Sequence, residues 1–165
     1  MTPGAAEPFR FQRVAAYVLC VRDGAVLLTR YSDLAPEPGR WALPGGGVHH
    51  GEHPRDAAAR ETAEETGLRV EVGDVLDVTS VHFTGVAPSG RLEDFHSVGL
   101  VFRATCPDVR PPRVQEEAGT TDDAAWVPVE GVRAGRVPLS RAVVTALPWL
   151  MTGPLAGEAP PVAAP

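Results

Sequence analysis

Val14 to Val21 is a near-continuous apolar run that Arg22, Asp23 and Gly24 interrupt before Ala25 to Leu28 resumes it. Asp-Gly between two apolar runs is the chemistry of a two-residue hairpin turn, so the pattern predicts two antiparallel strands. Ser32 to Arg40 carries two Pro and a Gly and reads as a loop. Trp41 to Leu43 is a brief apolar entry to Pro44 and to Gly45, Gly46 and Gly47, which read as a second loop. Pro54 suits the first position of a helix and Gly67 suits its left-handed cap, predicting a helix of about 13 residues between them. Ala57, Ala58, Thr62 and Ala63 give it a small-residue face able to approach a sheet, while the opposite face is densely charged.

Val70 to Phe83 and Phe95 to Ala104 are rich in β-branched and aromatic residues and predict two more strands, with another at Ala124 to Val129. Ala, Val and Leu recur at helical spacing from Leu139 to Met151, predicting a closing helix. The tail beyond is mostly Ala, Pro and Gly, a composition that does not build a core. The expected organisation is an arm over residues 1–12, one domain over 13–151 and a disordered tail over 152–165. Strands with one helix between hairpins and another at the end predict an α/β layered domain.

Composition narrows the chemistry. In 165 residues there are 21 acidic against 15 basic side chains, a formal net charge of -6 that argues against binding polymeric nucleic acid. Every basic residue is Arg, which excludes a Lys-dependent phosphate loop and a Lys Schiff base. Two cysteines, Cys20 and Cys106, supply neither a disulfide framework nor a Cys-rich zinc site. With no secretory leader and no stretch of membrane-spanning length, the expectation is a cytoplasmic protein without a membrane partner.

Glu61, Glu64 and Glu65 stand at i, i+3 and i+4, so the predicted helix places three carboxylates on one face, where each like-charge pair costs about 0.2–0.5 kcal/mol. They also crowd the negative end of the helix dipole, which disfavours each by roughly 0.3–1 kcal/mol. Taken alone, the cluster is an ordinary solvated acidic face. A divalent cation would relieve it, and carboxylate oxygens suit Mg²⁺ or Mn²⁺ better than zinc.

Gly46, then Glu52 after a five-residue gap, then Arg60-Glu61-Thr62-Ala63-Glu64-Glu65-Thr66-Gly67-Leu68 after seven more, resembles the full signature of the Nudix hydrolase family. So many specified residues at fixed distances arise by chance less than about once in ten million starting positions. Trp41-Ala42-Leu43-Pro44-Gly45 and Trp126-Val127-Pro128 resemble the family's usual flanks. Thr62 departs from the bulky aliphatic residue usual at its position, and His49 stands where many members carry an acid.

The resemblance implies a single-domain α/β/α sandwich with a mixed sheet, and a metal-dependent attack of water on a phosphoanhydride of a small nucleotide, by default a nucleoside triphosphate. It makes Glu61, Glu64 and Glu65 metal ligands together with the Gly45 carbonyl, and Arg60 with Glu52 the pair that orients them. Gly45, Gly46 and Gly47 would admit substrate phosphates close to the backbone. A further carboxylate from outside the signature, Glu117 by preference over Glu116, Glu93 and Asp94, would join as ligand or base. The identity of the general base stays open, and homodimerisation, common among members, is also carried over.

Two rival readings follow from the same residues. His49-His50-Gly51-Glu52-His53 fits an inverted zinc-peptidase pattern through His49, Glu52 and His53, but that site needs a helix, and Gly51 and Pro54 place the stretch in a loop. A Nudix fold used only to bind nucleotides is the other; such modules lose signature acids, and here they are intact. His82 and His96, in predicted strands, read as packed or hydrogen-bonded side chains.

Overall fold

The hairpin closes where the pattern places it: Asp23 (φ 49°) and Gly24 (φ 73°) both take the left-handed conformation that a two-residue turn of this kind demands. They join β1 (Phe9–Arg22) to β2 (Ala25–Tyr31) in this computed structural model, which describes residues 7–87, 89–115, 119–144 and 147–152. There follow β3 (Trp41–Ala42), β4 (Gly45–Gly47), α1 (Pro54–Thr66), β5 (Glu71–Val86), β6 (Leu92–Thr105), β7 (Thr121–Pro128), α2 (Val129–Arg133), α3 (Arg141–Val144) and α4 (Leu147–Thr152). The sheet is mixed, in the order β3-β2-β1-β6-β5, with β4 on β1 and β7 on β2. β1 and β6 run parallel from Phe9↔Glu93 to Cys20↔Ala104, and the other strand pairs are antiparallel.

Strand alternation divides the core into two faces. Ala16, Val18 and Cys20 point to the side where Ala57 and Ala58 of α1 pack with Leu68 and Phe102. Leu19, Val26, Leu28 and Val101 face Val132 of α2, Val143 of α3 and Leu150 of α4 on the other side. Helices on both faces of a mixed sheet make the expected α/β/α sandwich. Among the described residues no helix is long and apolar enough to cross a membrane.

Four expectations meet a different outcome or fall outside view. β1 starts at Phe9, so Phe9 to Gln12, assigned to an N-terminal arm, are strand residues paired with β6. Gly45 to Gly47, expected as loop, form an antiparallel ladder with Ala15 to Tyr17, because β1 presents an unpaired edge there and glycine can lie flat against it. A Cβ on Gly45, whose φ is 144°, would meet the Ala16 carbonyl and the Tyr17 backbone. The closing helix is seen at Arg141–Val144 and Leu147–Thr152, with residues 145–146 outside the described residues. The tail from 153 onward lies outside the described residues.

Candidate active site

Helix α1 carries the acidic face, and its ends are fixed by local chemistry. His53 caps the N-terminus, its ring accepting from the Arg55 amide at 3.2 Å, with Pro54 in the first turn. Gly67 closes the helix at φ 67° with its amide on the Ala63 carbonyl. The last carbonyls are met by the Arg113 amide on Thr66 and the Gln115 amide on Glu64. Ala57, Ala58, Thr62 and Thr66 are buried, and the Thr62 hydroxyl donates to the Ala58 carbonyl at 2.7 Å. Thr62 is thus accommodated in the core at a position where the family's usual residue is bulkier.

Arg60 is the hub of the site. Its Nε and Nη2 donate to the two oxygens of Glu52 at 2.9 and 3.0 Å, a bidentate pair. Nη1 donates to Glu61 at 3.0 Å and Glu64 at 3.2 Å, and Nη2 also donates to the Gly47 carbonyl at 3.1 Å. These bonds occupy all the N–H donors a guanidinium possesses. Glu52 additionally accepts from the His49 amide at 2.9 Å. Arg60, then the His49 amide, hold the Glu52 carboxyl down to about 2, and the same carboxylates hold Arg60 above its already high range.

Glu65 is buried, with 6% of its surface exposed, and it accepts from the Gly45 amide at 3.0 Å and from the Thr121 hydroxyl at 2.7 Å. Glu61 lies against β4 so closely that a Cβ on Gly46 would stand 2.7 Å from its carboxyl carbon. A side chain at Gly46 would therefore displace that carboxylate. Tyr17 borders the same corner: burial pushes its phenol up, Arg13 opposes that, and Glu65 and Glu61 add to it.

Placed beside the expectations, Glu52, Arg60, Glu61, Glu64, Glu65 and the three glycines converge at the α1–β4 junction. They do not form a single metal cage: among the described residues no three acidic, His or Cys side chains are drawn together as one. The physical reason is visible, since Arg60 draws one oxygen each of Glu61 and Glu64 to itself and Glu65 is turned toward Gly45 and Thr121. Glu117 and Glu116 lie outside the described residues. Glu93 is paired with Arg91 and Asp94 with His82, both on the outer parts of β5 and β6. Thr121, Arg13 and Tyr17 join the site unannounced, because nothing local in the sequence marks a contact between segments so far apart.

The zinc-peptidase reading fails on geometry. Gly51 (φ 79°) turns the chain between His49 and His53, the helix begins only at Pro54, His53 is spent as a cap, and Glu52 is held by Arg60. His82 pairs with the Asp94 carboxylate, and His96 lies between Gln12 and Ser80 at 3.0 Å from each. Both are hydrogen-bonded strand residues, as expected.

Residues 10–147 match the family model described as the NUDIX domain. Nucleoside triphosphatase NudI of Escherichia coli is 34% identical over 122 residues, covering 72% of this chain and 84% of that protein. Among solved structures, a MutT NUDIX hydrolase from Burkholderia pseudomallei superposes with a TM-score of 0.58 at 29% identity, covering 84% of this chain and 97% of its own. A NUDIX hydrolase from Nitrosomonas europaea reaches a TM-score of 0.66 at 20% identity, covering 87% and 90%, which bears on the fold. With the signature residues gathered at one helix face and the domain matched over most of its length, the chain belongs to the Nudix family of pyrophosphohydrolases.

Proposed function

We propose that this enzyme hydrolyses a phosphoanhydride of a nucleoside triphosphate. The observation that carries the reading is the α1 carboxylate face set against β4 and locked by Arg60. It is supported by similarity to a relative described as a nucleoside triphosphatase. The site's donors fit a hard divalent cation. Glu61 and Glu64 each keep one oxygen that Arg60 does not take, and Gly46 leaves room for the Glu61 carboxylate that any Cβ would fill. Four carboxylates, Glu52, Glu61, Glu64 and Glu65, gather at this corner, where Arg60 bonds three of them and Arg13 lies against Gly47, so the corner lacks positive charge.

In this reading Glu61, Glu64 and Glu65 would hold Mg²⁺ or Mn²⁺ with the Gly45 carbonyl. Such an ion, when bound, would supply the positive charge that neutralises phosphate oxygens and lowers the pKa of a water. Glu52 fixes Arg60, and Arg60 fixes Glu61 and Glu64, so the pair sets where the ligands point. Gly45 and Gly46 let the phosphates approach the backbone, and Thr121 keeps the Glu65 carboxylate in one orientation. Phe11, Phe95 and Phe83 form a ladder across β1, β6 and β5 with ring centroids 5.7 and 5.2 Å apart. Phe11 and Phe83 remain exposed, offering a base an apolar surface on the same strand face as Tyr17. A cytoplasmic location and homodimerisation belong to the same reading.

The test is phosphate and pyrophosphate release from a panel of nucleoside triphosphates, ADP-ribose, NADH and dinucleoside polyphosphates, with and without Mg²⁺, beside Glu65→Gln. Metal-dependent release from the triphosphates that Glu65→Gln loses, while remaining folded, is the expected result. Full activity in metal-free enzyme or in that variant would overturn the mechanism, and a preference for another panel member would replace the substrate.

A further inference from the structure

Arg60 has no donor left for a substrate phosphate, because all are spent on Glu52, Glu61, Glu64 and the Gly47 carbonyl. The chain contains no Lys to take that task. On the side-chain side of Gly47 lies a second guanidinium, that of Arg13: a Cβ on Gly47 would stand 3.0 Å from Nη2, 3.1 Å from Nε and 3.3 Å from Cζ. Arg13 is exposed, and among the described residues its side chain makes no hydrogen bond or ion pair. By contrast Arg10, Arg30, Arg40, Arg69, Arg91, Arg110 and Arg141 each have a carboxylate within 4 Å. The Gly47 carbonyl accepts from Arg60, which holds Glu61 and Glu64, so Arg13 lies against the same residue of β4 that the Arg60 hub grips.

We propose that Arg13 is the phosphate-binding cation of the site, its guanidinium reaching from β1 into the space left by the absent side chain of Gly47. The inference rests on the nucleoside triphosphatase reading and adds a residue outside the signature to it. Its chemistry is that of a planar fork offered to phosphate oxygens. Gly47 then has a specific role: it is the gap through which Arg13 lies against β4. Its φ is not among the positive values, so what a Cβ there would meet is the Arg13 guanidinium, which would have to give way by a few tenths of an ångström.

The experiment measures binding of an α,β-methylene nucleoside triphosphate by calorimetry in Mg²⁺, and KM and kcat for the hydrolysed triphosphate, in wild type, Arg13→Ala and Arg13→Lys. Loss of a charged hydrogen-bonding partner should weaken analogue binding and raise KM by about 10- to 100-fold in Arg13→Ala, with Arg13→Lys intermediate. In the Arg13→Ala background, Gly47→Lys should recover part of the lost affinity, which a purely structural role for Arg13 does not predict. Analogue affinity and KM within about twofold of wild type in Arg13→Ala would overturn the inference while leaving the enzyme's reading intact. A wild type that neither binds the analogue nor hydrolyses triphosphates would overturn both.

Discussion

Glu52 shows how one residue's ionisation is bound up with the rest of the site. Its carboxylate receives two N–H bonds from Arg60 and one from the His49 amide, and its pKa falls to about 2. An unperturbed Glu titrates near about 4.3, so the folded state prefers the ionised form. Because the folded pKa is depressed, the stabilisation is fully present above the ordinary carboxylate range and is lost as pH falls through it toward about 2. Thermal unfolding of wild type and Glu52→Gln across pH should therefore show the largest gap in Tm above pH ~5, narrowing below pH ~4. A gap that widens on acidification would contradict the Arg60–Glu52 arrangement.

At the scale of elements, α1 is legible because its ends are written in side chains of special conformation. Pro54 starts it, Gly67 stops it, and the structure returns Pro54–Thr66. Replacing Gly67 by Ala forces a Cβ into φ 67° and to within 2.9 Å of the Arg113 carbonyl. The cost should be about 1–2 kcal/mol, read as a lower urea midpoint with an unchanged slope. The α1 carboxylates are equally legible, since their spacing and the signature are both local. What the sequence does not disclose depends on contacts between distant segments. Gly45–Gly47 is a strand only because the edge of β1 is open beside it. Phe9 and Phe11 alternate with Arg10 and Gln12 in strand fashion, yet the apolar run begins only at Val14, so the apolar pattern starts β1 too late. Thr121 meets Glu65 across 56 positions of chain, and Arg13 meets Gly47 through a sheet register that no local pattern encodes.

For the whole molecule, electrostatics and stability meet at the metal. A chain with net charge -6 folds so that four carboxylates gather at one corner, with Arg60 wholly engaged in holding three of the acids and the Gly47 carbonyl. The unfolded chain has the same acids but neither the common helix face nor the Gly45 and Thr121 donors that orient Glu65, so a divalent cation should bind the native state preferentially. Preferential binding raises stability by mass action, by about 2.7 kcal/mol at a hundredfold excess over Kd. For a domain of this size that corresponds to a Tm increase of roughly 5–10 °C on adding Mg²⁺, reversed by a chelator. Glu65→Gln should lose most of this shift, whereas Gly67→Ala, lower in Tm from the start, should keep it, because the substitution strains the helix cap and leaves the carboxylates in place. An Mg²⁺ shift that persisted undiminished in Glu65→Gln would move the cation away from the α1–β4 corner.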